Sequence, residues 1–163
     1  MKDQTIWIGN DHGGYDLKLQ ILEYFGKNGI PFHNVGSDSN EIVRYPYFAA
    51  KVAGAVSRNE VDRGILICST GIGMNIIANK FRGVRASLCT STFSARMTRA
   101  HNNSNILCLG GKITGVLEAL DILEIWLSTE YEGGRHDISR GLIGEAEETL
   151  CNEGGWTPQN SDL

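Results

Sequence analysis

The chain has 163 residues, of which 41% are hydrophobic and 21% charged, so we expect one folded domain rather than a disordered segment. The 19 acidic and 15 basic side chains give a formal charge of −4, which argues against a protein that binds nucleic-acid backbones. No apolar run reaches the length of a membrane span, and the polar start does not resemble a signal peptide.

Short apolar runs alternate along the chain with longer stretches of helical periodicity. Strands are predicted at residues 5–9, 31–35, 63–68, 84–89 and 105–109. Helices are predicted at residues 16–27, 46–56, 72–81, 92–100 and 116–127. Five units of strand followed by helix predict a parallel sheet with right-handed crossovers and helices on both faces.

The C-terminal part of the chain has a different pattern. We expect a loop at residues 132–136, a short acidic helix at 141–151 and a mobile tail at 152–163. Residues 1–151 then form a single domain. The arginines at positions 82, 85, 96 and 99 are expected on helix surfaces or at helix caps, with no functional role.

An acid and an imidazole stand together after the first predicted strand. Asp11 and His12 lie between Gly9 and the pair Gly13-Gly14, and the glycine spacing is not that of a dinucleotide-binding fingerprint. The carboxyl ends of parallel strands are where ligands bind in open α/β sheets. The alternative is that Asp11 only caps the following helix and that His12 is incidental.

A loop of small residues follows the third predicted strand. Its amides and the start of the next helix can form a cradle for an anion or oxyanion, although it lacks the lysine of a nucleotide-binding P-loop. Cys68 precedes this loop, where the helix N-terminus favours a thiolate. The alternative is a buried structural cysteine. The cradle consists of Ser69, Thr70, Gly71, Ile72 and Gly73.

Cations follow at two later places. Lys112 comes after the fifth predicted strand, and Arg135, His136 and Arg140 lie close together near the C-terminus. Cations around a cradle indicate a phosphorylated small molecule, whereas a solvated basic loop is the alternative for each of them.

We expect no metal site, because no two of the four histidines have ligand spacing. The scattered aromatic residues form no platform for stacking bases. His101 ends a predicted helix, where a histidine often interacts only with the helix dipole.

Several motifs occur in an order that resembles one known family. They are Asn10-Asp11-His12-Gly13-Gly14, Arg44-Tyr45-Pro46, the run from Asp62 through Gly73, Ser94-Ala95-Arg96-Met97, Ala100-His101-Asn102 and Glu132-Gly133-Gly134-Arg135-His136. Over roughly residues 5–140 the chain resembles the B-type ribose-5-phosphate isomerases, whose relatives act on allose 6-phosphate and galactose 6-phosphate. The resemblance implies an αβα sandwich with a Rossmann-like five-stranded parallel sheet, a homodimer, and no metal or organic cofactor.

The resemblance also implies roles for individual residues. Cys68 matches the general base of the family, His101 matches the acid that opens the sugar ring, and Thr70 is associated with ring opening. The remaining matches are to residues that contact the sugar or its phosphate: Asp11, His12, Tyr45, Ser69, Gly71, Ile72, Gly73, Asn102, Lys112, Arg135 and Arg140.

Three positions depart from the family pattern. Lys112 stands where the family usually has an arginine, so a point charge replaces a bidentate guanidinium. A second phosphate-binding arginine is expected at position 139, but Ser139 stands there and Arg140 follows it. Arg44 replaces the usual acid. All three changes concern substrate binding and leave the identity of the sugar open.

The leading hypothesis is an aldose–ketose isomerase, an intramolecular oxidoreductase that acts on a sugar phosphate through a cis-enediolate. One alternative is a flavodoxin-like module that binds a phosphate ligand without turnover. A thiol redox protein is the other alternative, weakened because no resolving cysteine lies near Cys68. Three of the four cysteines lie in apolar runs or at their ends, as reduced buried cysteines do, and we expect a cytoplasmic protein.

Overall fold

The computed structural model describes residues 5–150, in which strands and helices alternate. The strands are β1 (Ile6–Asn10), β2 (Phe32–Asn34), β3 (Gly64–Cys68), β4 (Ala86–Leu88) and β5 (Ile106–Gly110). The helices are α1 (Tyr15–Lys27), α2 (Tyr45–Ser57), α3 (Ile72–Ala78), α4 (Thr92–Asn102), α5 (Val116–Ser128) and α6 (Arg135–Leu150), and a 3₁₀ turn (His12–Gly14) precedes α1. The tail predicted at 152–163 and the predicted helix end at Cys151 lie outside the described residues.

The strands form one parallel sheet in the order β2-β1-β3-β5-β4, which confirms the predicted fold class. Strands β1, β3 and β5 are therefore neighbours, and their carboxyl ends lie side by side. Asn10 pairs with Ile67, and Cys68 pairs with Gly110. The loops that follow these three strands consequently leave the sheet at the same edge, which we call the carboxyl edge.

Each face of the sheet is covered by its own apolar layer. Alternate residues of β3 point to opposite faces, as strand geometry requires. Ile65 and Ile67 join the cluster that contains α1, α5 and Ala95 of α4, with Trp126 fully buried at its centre. Leu66 and Cys68 join the cluster formed with α2 and α3. The result is a sandwich of three layers.

The edge strand β4 is shorter than predicted, and helix α3 ends earlier. Both differences involve Asn79, which follows α3. Its side-chain amide donates to the Ala86 carbonyl, and its side-chain oxygen accepts from the Ala86 amide, each at 2.9 Å. A side chain at the end of α3 thus satisfies both backbone groups of Ala86, the first residue of β4.

Helix α6 begins at Arg135, so the prediction of a loop through His136 was wrong. Gly133 and Gly134 both have positive φ, 65° and 60°, and reverse the chain just before the helix. The amide of His136 then donates to the Gly133 carbonyl at 3.2 Å, which closes the first turn. Glycines at 141 and 144 weakened the helical signal in the sequence of this segment, since each glycine costs about 1 kcal/mol in a helix relative to alanine.

Arg99 is buried, which corrects the expectation of a surface arginine. Its Nη1 donates to the Ser104 carbonyl and, at 3.0 Å, to the Asn103 side chain, and its guanidinium lies 5.6 Å above the Trp126 ring. Burial lowers the pKa of Arg99 to about 10. The side chain satisfies carbonyls beyond the end of α4, so its role is structural.

A bilayer-spanning helix would need a longer apolar stretch than any helix within residues 5–150 provides.

Candidate active site

The loops after β1, β3 and β5 bond directly to one another or to the neighbouring strand. The Asp11 amide donates to the Ile67 carbonyl at 3.2 Å, and the Gly111 amide donates to the Cys68 carbonyl at 2.8 Å. The Lys112 amide donates to the Ser69 carbonyl at 3.0 Å. The three loops that carry most of the predicted site residues therefore form one continuous surface at the carboxyl edge.

Glycines allow these loops to approach so closely. A Cβ atom on Gly13 would lie 2.8 Å from the Ser69 amide nitrogen, and one on Gly111 would lie 2.7 Å from the Gly13 carbonyl oxygen. Neither distance is compatible with a side chain at those positions. The centre of the surface consequently consists of loops whose backbones lie in direct contact.

Cys68 is the last residue of β3 and lies just below this surface. The side chain is buried, and its Sγ accepts a hydrogen bond from the Gly71 amide at 3.1 Å. This amide belongs to the residue that caps the N-terminus of α3. The sulfur is thus contacted by a backbone donor at the start of a helix.

The other two cysteines in the described part of the chain have different surroundings. Cys89 and Cys108 are buried and form no disulfide. Burial raises the pKa of Cys89 to about 11, and it raises the pKa of Cys108 well above the usual range. Among the described cysteines, Cys68 therefore differs in having a backbone amide directed at its sulfur and a place at the carboxyl edge.

Gly71→Ala is expected to lower the stability of the protein and disturb the loop that holds Cys68. Gly71 has φ 77°, and a Cβ atom there would lie 2.9 Å from the Leu109 carbonyl carbon. The left-handed backbone alone costs about 1–3 kcal/mol for a non-glycine residue. Urea denaturation measures the change in the free energy of unfolding.

Gly26→Ala serves as the matched control, because Gly26 lies in α1 and a Cβ atom there would meet nothing within 4 Å. This variant is expected to be as stable as the parent or more so, since alanine favours the helix. Equal stability of the two variants would contradict the argument about Gly71.

Asp11 has the capping role that was the alternative in the sequence analysis. Its Oδ1 accepts from the amides of Gly13 at 2.9 Å and Gly14 at 3.2 Å. Burial raises the pKa of the Asp11 carboxyl, and the neighbouring His12 and these amides oppose that rise. Asp11 thus caps the turn and lies at the carboxyl edge beside the other loops.

His12 and Tyr45 approach the same surface from the side. His12 Nδ1 accepts from the Val43 amide at 3.3 Å, and this arrangement leaves the proton on Nε2. The Tyr45 ring covers the first turn of α3, since a Cβ atom on Gly73 would lie 2.8 Å from it. Both side chains are therefore oriented by contacts to backbone near the cradle.

Lys112 provides a cation at the rim of this surface. Its Nζ lies 3.3 Å from Asp16 Oδ2, in the first turn of α1. The pair is about half exposed, so the lysine can exchange this partner for an anionic ligand at little cost. The structure thus brings together the larger set of predicted residues: Asp11, His12, Tyr45, Cys68, Ser69, Thr70, Gly71, Ile72, Gly73 and Lys112.

The remaining predicted residues lie at the opposite edge of the sheet. Helix α4 starts after β4 and runs back along the sheet, so its C-terminal residues His101 and Asn102 lie near the amino ends of the strands. Arg85, just before β4, donates from Nε to the Asn102 carbonyl at 3.1 Å. Within one chain, His101 and Asn102 are therefore separated from Cys68 by about the length of α4.

Arg135 and Arg140 both lie on α6 but on different faces. Five residues along an α-helix correspond to a rotation of about 140°. Arg140 Nη2 lies 3.5 Å from Asp137 Oδ1, and its guanidinium lies 5.1 Å above the Tyr131 ring. Ser139, four residues after Arg135, shares its face. The geometry does not support Arg140 as a replacement for an arginine at 139.

Two histidines converge at the start of α6, although no pair was expected to do so. The rings of His101 and His136 stack with centroids 4.2 Å apart, and Glu132 Oε2 lies 3.9 Å and 3.6 Å from their Nε2 atoms. The Glu132 amide donates to the Ala100 carbonyl at 3.0 Å, which joins this loop to the end of α4. The four-residue spacing of Glu132 and His136 was the available indication in the sequence.

Comparison with known proteins agrees with this architecture. Residues 6–141 match the family model described as Ribose/Galactose Isomerase. The chain is 44% identical over 133 residues to "Ribose-5-phosphate isomerase B" of Escherichia coli, covering 82% of this chain and 89% of that protein. It is 40% identical over 131 residues to the "D-erythrulose-4-phosphate isomerase" of Pectobacterium atrosepticum, covering 80% and 86%.

A solved structure extends this agreement to three dimensions. The structure of Clostridium thermocellum Ribose-5-Phosphate Isomerase B superimposes with a TM-score of 0.87 at 50% identity, covering 89% of this chain and 98% of that one. The residues matched by the family model include the loops at the carboxyl edge. The chain belongs to the Ribose/Galactose Isomerase family.

Proposed function

We propose that this sugar-phosphate isomerase interconverts ribose 5-phosphate and ribulose 5-phosphate, or a close analogue of that pair. The observation that carries the proposal is the Cys68 thiol, held by the Gly71 amide at the meeting point of three backbone-built loops. The family relationship supports the same reaction type. Relatives of nearly equal similarity are named for a five-carbon and a four-carbon sugar phosphate, which leaves the choice of sugar to experiment.

The reaction moves a carbonyl group between C1 and C2 of the open-chain sugar. Cys68 as thiolate removes the proton from C2 of the aldose, and the electron pair shifts to give a cis-enediolate with negative charge on oxygen. The proton on O2 passes to O1, the thiol returns its own proton to C1, and the carbonyl is left at C2. A correctly placed base contributes about 10²–10⁴ in rate to such a step.

The developing oxyanion requires donors at a fixed position. Two amides of the cradle already have acceptors: the Gly71 amide donates to Cys68 Sγ, and the Ile72 amide donates to Thr70 Oγ1 at 3.3 Å. The donors that we assign to the oxyanion are therefore the amides that follow in the first turn of α3, beginning with Gly73. Loss of one oxyanion donor typically costs about 3–4 kcal/mol in the transition state. The role of Thr70 is then to shape the cradle as well as to assist ring opening.

Opening of the cyclic sugar needs a proton donor and acceptor, which we assign to His101 of a second subunit. In a single chain His101 lies at the far end of α4 from Cys68. Exposed apolar side chains accompany both sets of residues: Ile72, Phe93 and Leu117 near the carboxyl edge, and Ile138 and Leu142 on α6. A two-fold dimer would cover the two patches with each other and complete two shared sites.

Phosphate binding is assigned to His12, Lys112 and Arg135, with Asn102 contacting the sugar. His12 offers Nε2–H, and Lys112 is a point charge that does not impose the planar geometry of an arginine. Arg44 precedes Tyr45 at the start of α2, where it adds a cation to the rim. These rim residues determine how long a sugar the site accepts.

A panel of sugar phosphates with four, five and six carbons tests the proposal. We expect isomerisation of at least one, with a clear preference for one chain length. Binding without isomerisation of any member would instead support a module that only binds phosphate ligands. Yellow absorbance of the purified protein would identify the flavin-binding form of that alternative.

Removal of metal ions is expected to leave the isomerase active, because the proposed steps use only protein groups. Activity is measured before and after exhaustive dialysis against a chelator, with total metal content determined in both samples. Loss of activity that added zinc or manganese restores would contradict the mechanism.

We also propose a cytoplasmic location. The three cysteines within residues 5–150 are free and buried, as is usual in a reducing compartment.

A further inference from the structure

Three side chains that commonly bind metal ions meet between the end of α4 and the start of α6. They are His101, Glu132 and His136, and one ligand atom from each lies within 4.8 Å of the others. Glu132 Oε2 lies 3.6 Å from His136 Nε2 and 3.9 Å from His101 Nε2. We call these three residues the His–Glu–His cluster.

The backbone around the cluster fixes the positions of its members. The Glu132 amide is bonded to the Ala100 carbonyl of α4, and the His136 amide is bonded to the Gly133 carbonyl. Gly133 and Gly134 have the left-handed conformation that this reversal requires. The imidazoles stack with centroids 4.2 Å apart and an angle of 12° between their planes. Because a metal lies close to the plane of each imidazole that binds it, coordination by both requires one ring to turn about its side-chain bonds, and His101, at 35% exposure, has room to do so.

The donor set is one that zinc prefers. Two imidazole nitrogens and one carboxylate oxygen, with a position left open, form a common zinc-binding arrangement. Tetrahedral bonds of about 2.0–2.1 Å place the ligand atoms about 3.3–3.4 Å from one another. The observed separations from Glu132 are 3.6 Å and 3.9 Å, which is about 0.2–0.6 Å longer, and all three ligand atoms lie within 4.8 Å of one another. Glu132 is 60% exposed and can close its part of this difference, while the rest is closed by rotation of an imidazole.

We propose that the His–Glu–His cluster is a binding site for a divalent transition metal of the zinc class, and that its occupancy inhibits the enzyme. The metal would coordinate His101 through Nε2, and a coordinated nitrogen can neither accept nor donate a proton. The inhibitory part rests on the proposed function, in which His101 opens the sugar ring. The binding part rests on the geometry of the cluster alone.

Cobalt is the probe for binding, because Co²⁺ takes zinc sites and has visible absorption that reports its coordination. The full-length protein is treated with chelator, freed of it and titrated with CoCl₂. We expect one Co²⁺ per chain with intense visible bands. Glu132→Gln and His136→Gln are each expected to weaken binding at least about tenfold, whereas His33→Gln on strand β2 leaves it unchanged. No binding, or binding unaffected by both cluster variants, would overturn the site.

Zinc inhibition is the second measurement. Zn²⁺ is expected to inhibit the parent enzyme reversibly, with recovery on addition of chelator. Glu132→Gln is expected to keep the basal activity and to require at least about ten times more Zn²⁺ for the same inhibition. Undiminished inhibition of this variant would place the inhibitory metal elsewhere, for example on the Cys68 thiol. Cluster-dependent Co²⁺ binding by a protein that isomerises no sugar phosphate would refute the proposed function and leave the metal site standing.

Discussion

Replacing Cys68 by alanine is expected to reduce turnover by about 10²–10⁴ while ligand binding is retained, because the thiolate is the proposed base and the groups proposed to bind the phosphate and the sugar remain. The direct measurement is exchange of the substrate C2 proton in heavy water, which reports proton removal even when later steps are slow. Binding is measured separately with a sugar-alcohol phosphate, which lacks the carbonyl and cannot react.

Two further cysteine variants complete the experiment. Cys68→Ser keeps the size of the side chain and is expected to lose exchange as alanine does, since a hydroxyl in place of the thiol is a far weaker acid. Cys89→Ala removes a buried thiol whose raised pKa makes it inert, and it is expected to retain exchange. Exchange at the parent rate in Cys68→Ala would remove Cys68 from the mechanism.

Mixing two inactive variants is expected to restore activity. Cys68→Ala and His101→Ala, each nearly inactive alone, are unfolded together and refolded as a mixture. Random pairing makes half of the dimers mixed, and each mixed dimer carries one intact site of two. Up to about a quarter of the parent activity should return under two-fold symmetry.

A mixture of Cys68→Ala with Cys68→Ser is the control, because no pairing of these chains creates an intact site. Formation of mixed dimers is verified by tagging one variant and capturing it. If mixed dimers form and no activity returns, His101 acts within its own chain or has no part in the reaction.

Periodicity alone predicted the layered parallel fold, because strands and helical stretches alternate along the chain and β1, β3 and β5 are short apolar runs. The edge strand β2 has a polar, exposed sequence and gives a weaker signal. The edges of elements were less predictable where a side chain replaces backbone hydrogen bonds, as Asn79 does beside β4. The start of α6 was missed because glycines are frequent in and before it, and their role there depends on backbone conformations that composition does not reveal.

The carboxyl-edge part of the site could be predicted because parallel strands place their following loops together. The other part required knowledge of which helix ends meet. The stacking of His101 on His136 depends on the contact between Glu132 and α4, which joins segments 32 residues apart. No spacing rule for histidines along the chain contains that information. The burial of Arg99 was missed for the same reason.

The close packing of Gly13, Ser69 and Gly111 limits how this scaffold can change its substrate. Because backbone atoms form the centre, single substitutions there damage the fold before they alter selectivity. Adaptation to a shorter or longer sugar must therefore proceed through rim positions such as Arg44 and Lys112, where side chains are replaceable. A library for redirecting the enzyme should randomise the rim and leave the three loops intact.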